Sequence, residues 1–76
     1  MGIDHEIDVK GMECPQPLTV VARELSKIPT GSTFRITTDN YACYMMLLRF
    51  LKVLGEEIIE HSEGDDLFVI VGRRTI

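Results

Sequence analysis

The sequence predicts a two-layer α/β (α+β) sandwich of order β-α-β-α-β-β, with a mixed four-stranded sheet carrying both helices on one face. Three observations predict it. Apolar and charged residues alternate with period two from Ile3 to Val9, two later segments repeat apolar residues at helical spacing, and the chain ends in two short strand-like runs joined by Glu63-Gly64-Asp65-Asp66. With 76 residues, one core is expected, because a chain this short buries only about 60 to 65% of its unfolded surface.

The first strand sets Ile3, His5, Ile7 and Val9 on one side and Asp4, Glu6 and Asp8 on the other, and Gly11 ends it. Leu18, Val21, Ala22, Leu25 and Ile28 then form the apolar stripe of a first helix, with Gln16, Arg23, Glu24 and Lys27 opposite. Pro29 and Gly31 stop that helix, and Thr33 to Thr38 reads as a second strand with Phe34 and Ile36 facing one way. Asp39 or Asn40 caps a second helix that runs to about Leu54, where Gly55 supplies a residue free to turn left-handed. Strands at Glu57 to Ser62 and Leu67 to Gly72 make a closing hairpin. The last strand is apolar on both faces, so it belongs inside the sheet, and the uncovered face of the sheet is expected to carry some apolar surface. Each strand-helix-strand crossover is expected to be right-handed and parallel.

Composition narrows the function. The chain is 45% apolar and 26% charged, the balance of an ordinary folded protein. Eight basic against twelve acidic residues give a net charge of −4, and the longest basic cluster is Arg73-Arg74, so nucleic acid is not an expected partner. No leader-like segment opens the sequence, and the longest apolar run, Tyr41 to Leu48, is far shorter than the roughly 18 to 20 residues that cross a bilayer. A cytoplasmic protein without membrane insertion is the expectation. Cys14 and Cys43 form neither a CxxC pair nor a zinc set, and His5 and His61 add no recognisable zinc spacing. No metal and no cofactor is assigned.

The chemistry is concentrated in Cys14-Pro15-Gln16-Pro17 at the start of the first helix. A helix's first turn leaves backbone N–H groups unpaired and carries about half a positive charge, both of which favour a thiolate over a thiol. Proline is tolerated there because its missing N–H had no partner to lose, so Pro15 and Pro17 stiffen the turn without breaking the helix. Cysteines in such positions have lowered pKa values, and the thiolate is the species that attacks another sulfur. A free cysteine also packs as a small buried hydrophobe, so position alone leaves both roles open for Cys14.

The run Gly11-Met12-Glu13-Cys14-Pro15-Gln16-Pro17-Leu18, placed between a short acidic strand and an amphipathic helix, resembles the CPxP signature of the TusA/SirA-like sulfurtransferase family. Leu25 before a Pro-Gly loop, Asp39 at the entry to the second helix, Gly55 at its exit and the closing hairpin fall where the family has them, so the resemblance spans essentially all of residues 1–76 as a single domain. It implies a fold like the C-terminal domain of translation initiation factor three. It also implies a sulfur carrier that takes sulfane sulfur from a cysteine desulfurase or rhodanese-like donor as a persulfide and relays it to an acceptor protein. Carried over, the sulfur-bearing residue is Cys14, supported by Gly11, Pro15, Gln16 and Pro17. Relatives associated with selenium metabolism, thiosulfate use or regulation leave the pathway open.

Arg23 matches a basic position of the family's first helix and shares a face with Gln16 and Lys27, so Arg23 and Lys27 are candidate docking residues for an acidic partner. At nine residues from Cys14, or about 13 Å along a helix, Arg23 lies beyond contact with the sulfur. Where members carry an Asp-Asp-Pro-like run and a later acidic residue, this chain has Asp39-Asn40-Tyr41 and Met46. The second helix is therefore apolar almost all round. Cys43, Leu47, Leu51 and Leu54 lie opposite Arg49 and Lys52 and read as core, leaving Tyr41, Tyr44, Met45, Met46 and Phe50 as a surplus that fits a protein partner or a second copy of the chain. Two further readings stand beside the carrier: a non-catalytic regulatory or interaction module, and a redox sensor in which Cys14 forms a disulfide or sulfenic acid.

Overall fold

The computed structural model describes residues 2–75. Its elements are β1 (His5–Asp8), α1 (Gln16–Leu25), β2 (Thr33–Thr38), α2 (Tyr41–Leu54), β3 (Glu57–Glu63) and β4 (Phe68–Arg73). The sheet order is β1-β2-β4-β3, with β1 parallel to β2 and β4 antiparallel to both of its neighbours. The mixed four-stranded sheet expected from the sequence is present. The strand apolar on both faces, β4, lies inside it between β2 and β3.

Alternation in the strands decides which face the helices cover. Ile7, Phe34, Ile36, Phe68 and Ile70 are buried and join one cluster with Val21 and Leu25 of α1 and Tyr44, Leu47 and Leu51 of α2. The register sets Ile7 beside Ile36 and Ile36 beside Ile70, so these side chains form a continuous apolar floor under both helices. The opposite face carries the Arg35–Glu6 ion pair across the parallel strands. There Val69 and Val71 are half-buried and Ile59, at the register shift of β3, is exposed. The bulge sits on an edge strand, where it discourages pairing with another chain.

Both ends of the parallel pair are tied by side chains. At the entry, the Asp4 carboxylate accepts from the Thr33 backbone N–H at 3.0 Å and from its hydroxyl at 3.2 Å, while the Asp4 N–H donates to Thr33 Oγ1 at 3.1 Å. These hydrogen bonds hold the Asp4 carboxyl below its ordinary pKa. At the exit, the Val9 N–H donates to the Thr37 carbonyl at 2.9 Å and the Gly11 N–H to Asp39 Oδ1 at 3.1 Å.

Helix α2 starts and stops as its sequence dictates. Asn40 is the cap, its Oδ1 accepting from the Cys43 N–H at 3.1 Å, and Gly55 closes the helix at φ 88°. Asp39, the other candidate cap, holds Gly11 instead. Tyr44 departs from expectation: it belongs to the core, fully buried, rather than to the exposed surplus. Its ring stacks on Phe68 at 5.3 Å, and its hydroxyl shares a 2.9 Å hydrogen bond with His61 Nδ1. A phenol is buried at low cost when its polar tip finds a partner. Ala22, assigned to the apolar stripe of α1, is exposed, and Leu67 lies in the hairpin turn, not in β4.

One ion pair had no sequence signal. Glu56, next to the glycine that ends α2, is buried against Arg74 and accepts from the Thr75 N–H at 2.8 Å, tying the chain's end to the α2–β3 corner. Partners 18 residues apart leave no local pattern to read.

Gly72 lies against Phe34, and a Cβ there would stand 2.6 Å from Phe34 Cζ and 2.8 Å from the Glu57 carbonyl oxygen. Gly72→Ala is expected to lower stability by about 1 to 3 kcal/mol, read as a reduced urea midpoint at unchanged m-value. Burial, with the nearby Glu63 charge and Tyr41 adding to it, raises the Tyr44 phenol above its ordinary 10.0. The unfolded chain therefore releases this proton first, and stability falls as pH rises past about 10. Tyr44→Phe is expected to flatten that alkaline decline in urea melts taken across the range.

Candidate functional site

Because β1 and β2 run parallel and side by side, with Asp8 opposite Thr37, their carboxyl ends deliver the chain into α1 and α2 at neighbouring points. The two helix N-termini therefore meet at one end of the sheet, the end at which open α/β sheets place their sites. Cys14 lies just before α1, and Cys43 lies in the first turn of α2. The two are joined as a disulfide with Cα atoms 5.6 Å apart, inside the range such a bond requires.

The approach to Cys14 is held at successive points. The exit ties from Val9 and Gly11 precede it, and Gly11 takes φ 82°, a left-handed conformation that a side chain resists. Met12 then turns back, its N–H donating to the Val9 carbonyl at 3.3 Å. Val9 to Thr37, Gly11 to Asp39 and Cys14 to Cys43 form a ladder that carries the β1–β2 pairing past the strands and up to the sulfurs.

The sequence sets Cys14 where the cap of α1 should be; the structure has Pro15 at that position instead, with a cis Cys14–Pro15 peptide bond and no side chain capping the helix. The unpaired N–H groups expected to favour a thiolate are few. Pro15 and Pro17 have none, the Gln16 N–H donates to the Glu13 carbonyl at 2.9 Å, and the Leu18 N–H donates to the Pro15 carbonyl at 3.1 Å. The aligned peptide dipoles of the helix still point their positive end at this turn. Pro17 is buried, while Gly11, Pro15 and Gln16 are exposed around a half-buried Cys14.

Cys43 is fully buried, as expected of a core position, yet its sulfur is not spent on packing. The pairing with Cys14 was not read from the sequence. The signal that could have found it is topological: parallel strands followed by helices bring the positions just after their ends together, and each such position here holds a cysteine.

The other candidate residues lie outside the sulfur pair. Arg23 is exposed on α1, whereas Lys27, expected on the same helix face, lies exposed in the turn that follows the helix, 3.4 Å from Glu24. Met45 and Met46 are 39% and 41% exposed on α2, beside Tyr41 at 51%. A cleft of about 260 Å³ lined by Leu18, Met46, Arg49, Phe50 and Val53 bridges the two helices. Among the described residues, no group of three or more His, Cys, Asp or Glu is placed to hold a metal ion, and no helix is long and apolar enough to cross a membrane.

The difference in access has a chemical consequence. After reduction, iodoacetamide under native conditions is expected to modify Cys14 at least about tenfold faster than Cys43, read by peptide mass mapping, with the two rates converging in denaturant.

Comparison with known proteins places this geometry. A SirA-like protein from Desulfitobacterium hafniense, solved by crystallography, superposes with a TM-score of 0.80, covering 95% of this chain and 99% of that one at 20% identity, and so shares the fold. The sulfur carrier protein TusA of Pseudomonas syringae pv. syringae is 21% identical over 67 residues, which span 88% of this chain and 80% of that protein. The family model for sulfurtransferase TusA matches residues 5–74, from the first residue of β1 to just past β4, and the chain belongs to that family.

Proposed function

We propose that this chain is a sulfur carrier whose Cys14 bears a sulfane sulfur as a persulfide between a donor protein and an acceptor protein. The observation that carries the proposal is the placement of Cys14: half-buried among exposed neighbours, in a turn stiffened by two prolines, at the positive end of α1. Membership of the sulfurtransferase family supports it.

The chemistry is two exchanges at sulfur. The Cys14 thiolate attacks the outer sulfur of a donor persulfide, forming the Cys14 S–S bond while the donor's S–S bond breaks and its cysteine leaves as a thiolate. An acceptor thiolate then attacks the outer sulfur on Cys14 and releases the Cys14 thiolate. No net oxidation occurs in either step, and the site needs no general base when the cysteine reacts as thiolate. A cysteine desulfurase or a rhodanese-like protein is the fitting donor class, since both present sulfur as a cysteine persulfide.

Docking falls to the surfaces around the site. Met45, Met46 and Tyr41 offer an adaptable apolar patch, and the cleft beside Leu18 and Phe50 offers a seat for an apolar side chain of a partner or of a second copy of this chain. Gly11, Pro15, Gln16 and Pro17 shape the turn; Arg23 on α1 and Lys27 just past its end suit an acidic rim on the partner.

One observation favours a second reading, a thiol redox sensor. The Cys14–Cys43 disulfide is the oxidised state that such a device would form.

The reduced chain, incubated briefly with a cysteine desulfurase and cysteine and then acid-quenched, is expected to gain about 32 Da at the Cys14 peptide. Cys14→Ser is expected to gain nothing, and Cys43→Ser to keep the adduct. A chain whose dithiol merely oxidises under the same treatment, with no added sulfur at any time point, would favour the sensor.

A further inference from the structure

The disulfide assigns a second cysteine to the reaction. We propose that Cys43 is a resolving thiol that discharges the sulfur carried on Cys14 as hydrosulfide, leaving the Cys14–Cys43 disulfide and delivering sulfur at the sulfide oxidation level. The proposal rests on the carrier reading of Cys14.

Three observations carry it. The first is reach: the backbone holds the two Cα atoms 5.6 Å apart, inside the range that a bond between the two sulfurs requires. The second is access. Cys43 has no exposed surface, so it cannot meet a donor or acceptor protein, and the sulfur it can attack is the one on Cys14. The third is rigidity, because the Gly11–Asp39 bond fixes the loop that leads to Cys14, the Asn40 cap fixes the helix turn that bears Cys43, and the two together keep the pair close when the bond between them is open.

The step balances as an exchange at the inner sulfur. The Cys43 thiolate attacks Sγ of the Cys14 persulfide, the new Sγ–Sγ bond forms, and the bond to the outer sulfur breaks with its electron pair going to that sulfur. It leaves as hydrosulfide, taking the one proton the pair carries. The outer sulfur is reduced by two electrons and the two cysteines together are oxidised by two. A second turnover requires a dithiol reductant, which returns Cys14 and Cys43 to thiols and is itself oxidised to a disulfide.

Attack at the inner sulfur follows from burial. Transfer of the outer sulfur to Cys43 would strand it in the core, out of reach of an acceptor, whereas release frees a small anion from the half-exposed Cys14 turn. Fast acceptor proteins would still take the sulfur as sulfane, so Cys43 sets what happens when none arrives. The consumer suited to the discharged product is an enzyme that uses free sulfide.

The test uses the 76-residue chain, reduced, loaded with inorganic polysulfide and desalted into thiol-free buffer at low micromolar concentration. Intact mass after acid quench and a sulfide assay are followed together. The native chain is expected to pass from an adduct of about +32 Da to a species about 2 Da lighter than the dithiol, with one sulfide released per chain. Cys43→Ala and Cys43→Ser are expected to hold the adduct at least about tenfold longer. An adduct equally persistent in the native chain and both variants, or sulfur lost from the native chain without disulfide, would overturn the role of Cys43 and leave the carrier intact. Absence of the adduct from Cys14 in the native chain and both variants would remove the carrier reading and this proposal with it. The mass change and sulfide yield of the native chain decide the matter even should a variant fold poorly.

Discussion

Parallel pairing of β1 with β2 is the constraint from which the site follows. Two adjacent strands running the same way must each hand the chain to a crossover at the same end of the sheet. In a chain this short both crossovers begin as helices almost at once, so two helix N-termini lie side by side. The pairing is fastened at its entry by Asp4 and Thr33 and at its exit by Gly11 and Asp39, and the exit fastening also aims the loop that carries Cys14. Antiparallel pairing of the same strands would send their helices from opposite ends and part the two cysteines by the length of the sheet.

Most of the fold was legible because its signals are local. The period-two alternation of the strands, the Asn40 and Gly55 ends of α2 and the turn around Gly64 each depend on a few neighbouring residues. The interior place of β4 was legible too, since a strand apolar on both faces has no wet side to give to an edge. Tyr44 was misassigned for a physical reason: a helical wheel ranks faces by hydrophobicity and does not see that His61, on another element, satisfies the hydroxyl. The Glu56–Arg74 pair was invisible for the same reason, being made by residues near in space and far apart in sequence.

The site was legible by half. Cys14 was marked by the prolines that follow it, whose stiffness is a local property, whereas the use of Cys43 depends on the parallel register of strands that neither cysteine belongs to. A helical wheel placed Cys43 correctly in the core, and burial does not bar it from bonding because its partner sulfur is supplied by the protein itself. The expectation of a helix tip rich in free donors fails for a related reason. The same prolines that stiffen the turn remove two N–H groups, and the carbonyls of Glu13 and Pro15 take the nearest remaining ones.

That loss of donors bears on how a carrier of this design handles charge. A tip lined with free N–H groups would stabilise a thiolate strongly, which makes it a weaker nucleophile toward a donor's sulfur and a faster leaving group toward an acceptor. A tip that offers mainly the helix dipole favours the anion without clasping it. On the proposed reading Cys14 both attacks and departs across the same bond, so its field has to serve attack, which a strongly held anion slows, and departure, which it speeds. With the N–H groups of Gln16 and Leu18 already paired, the helix dipole is left to set that balance.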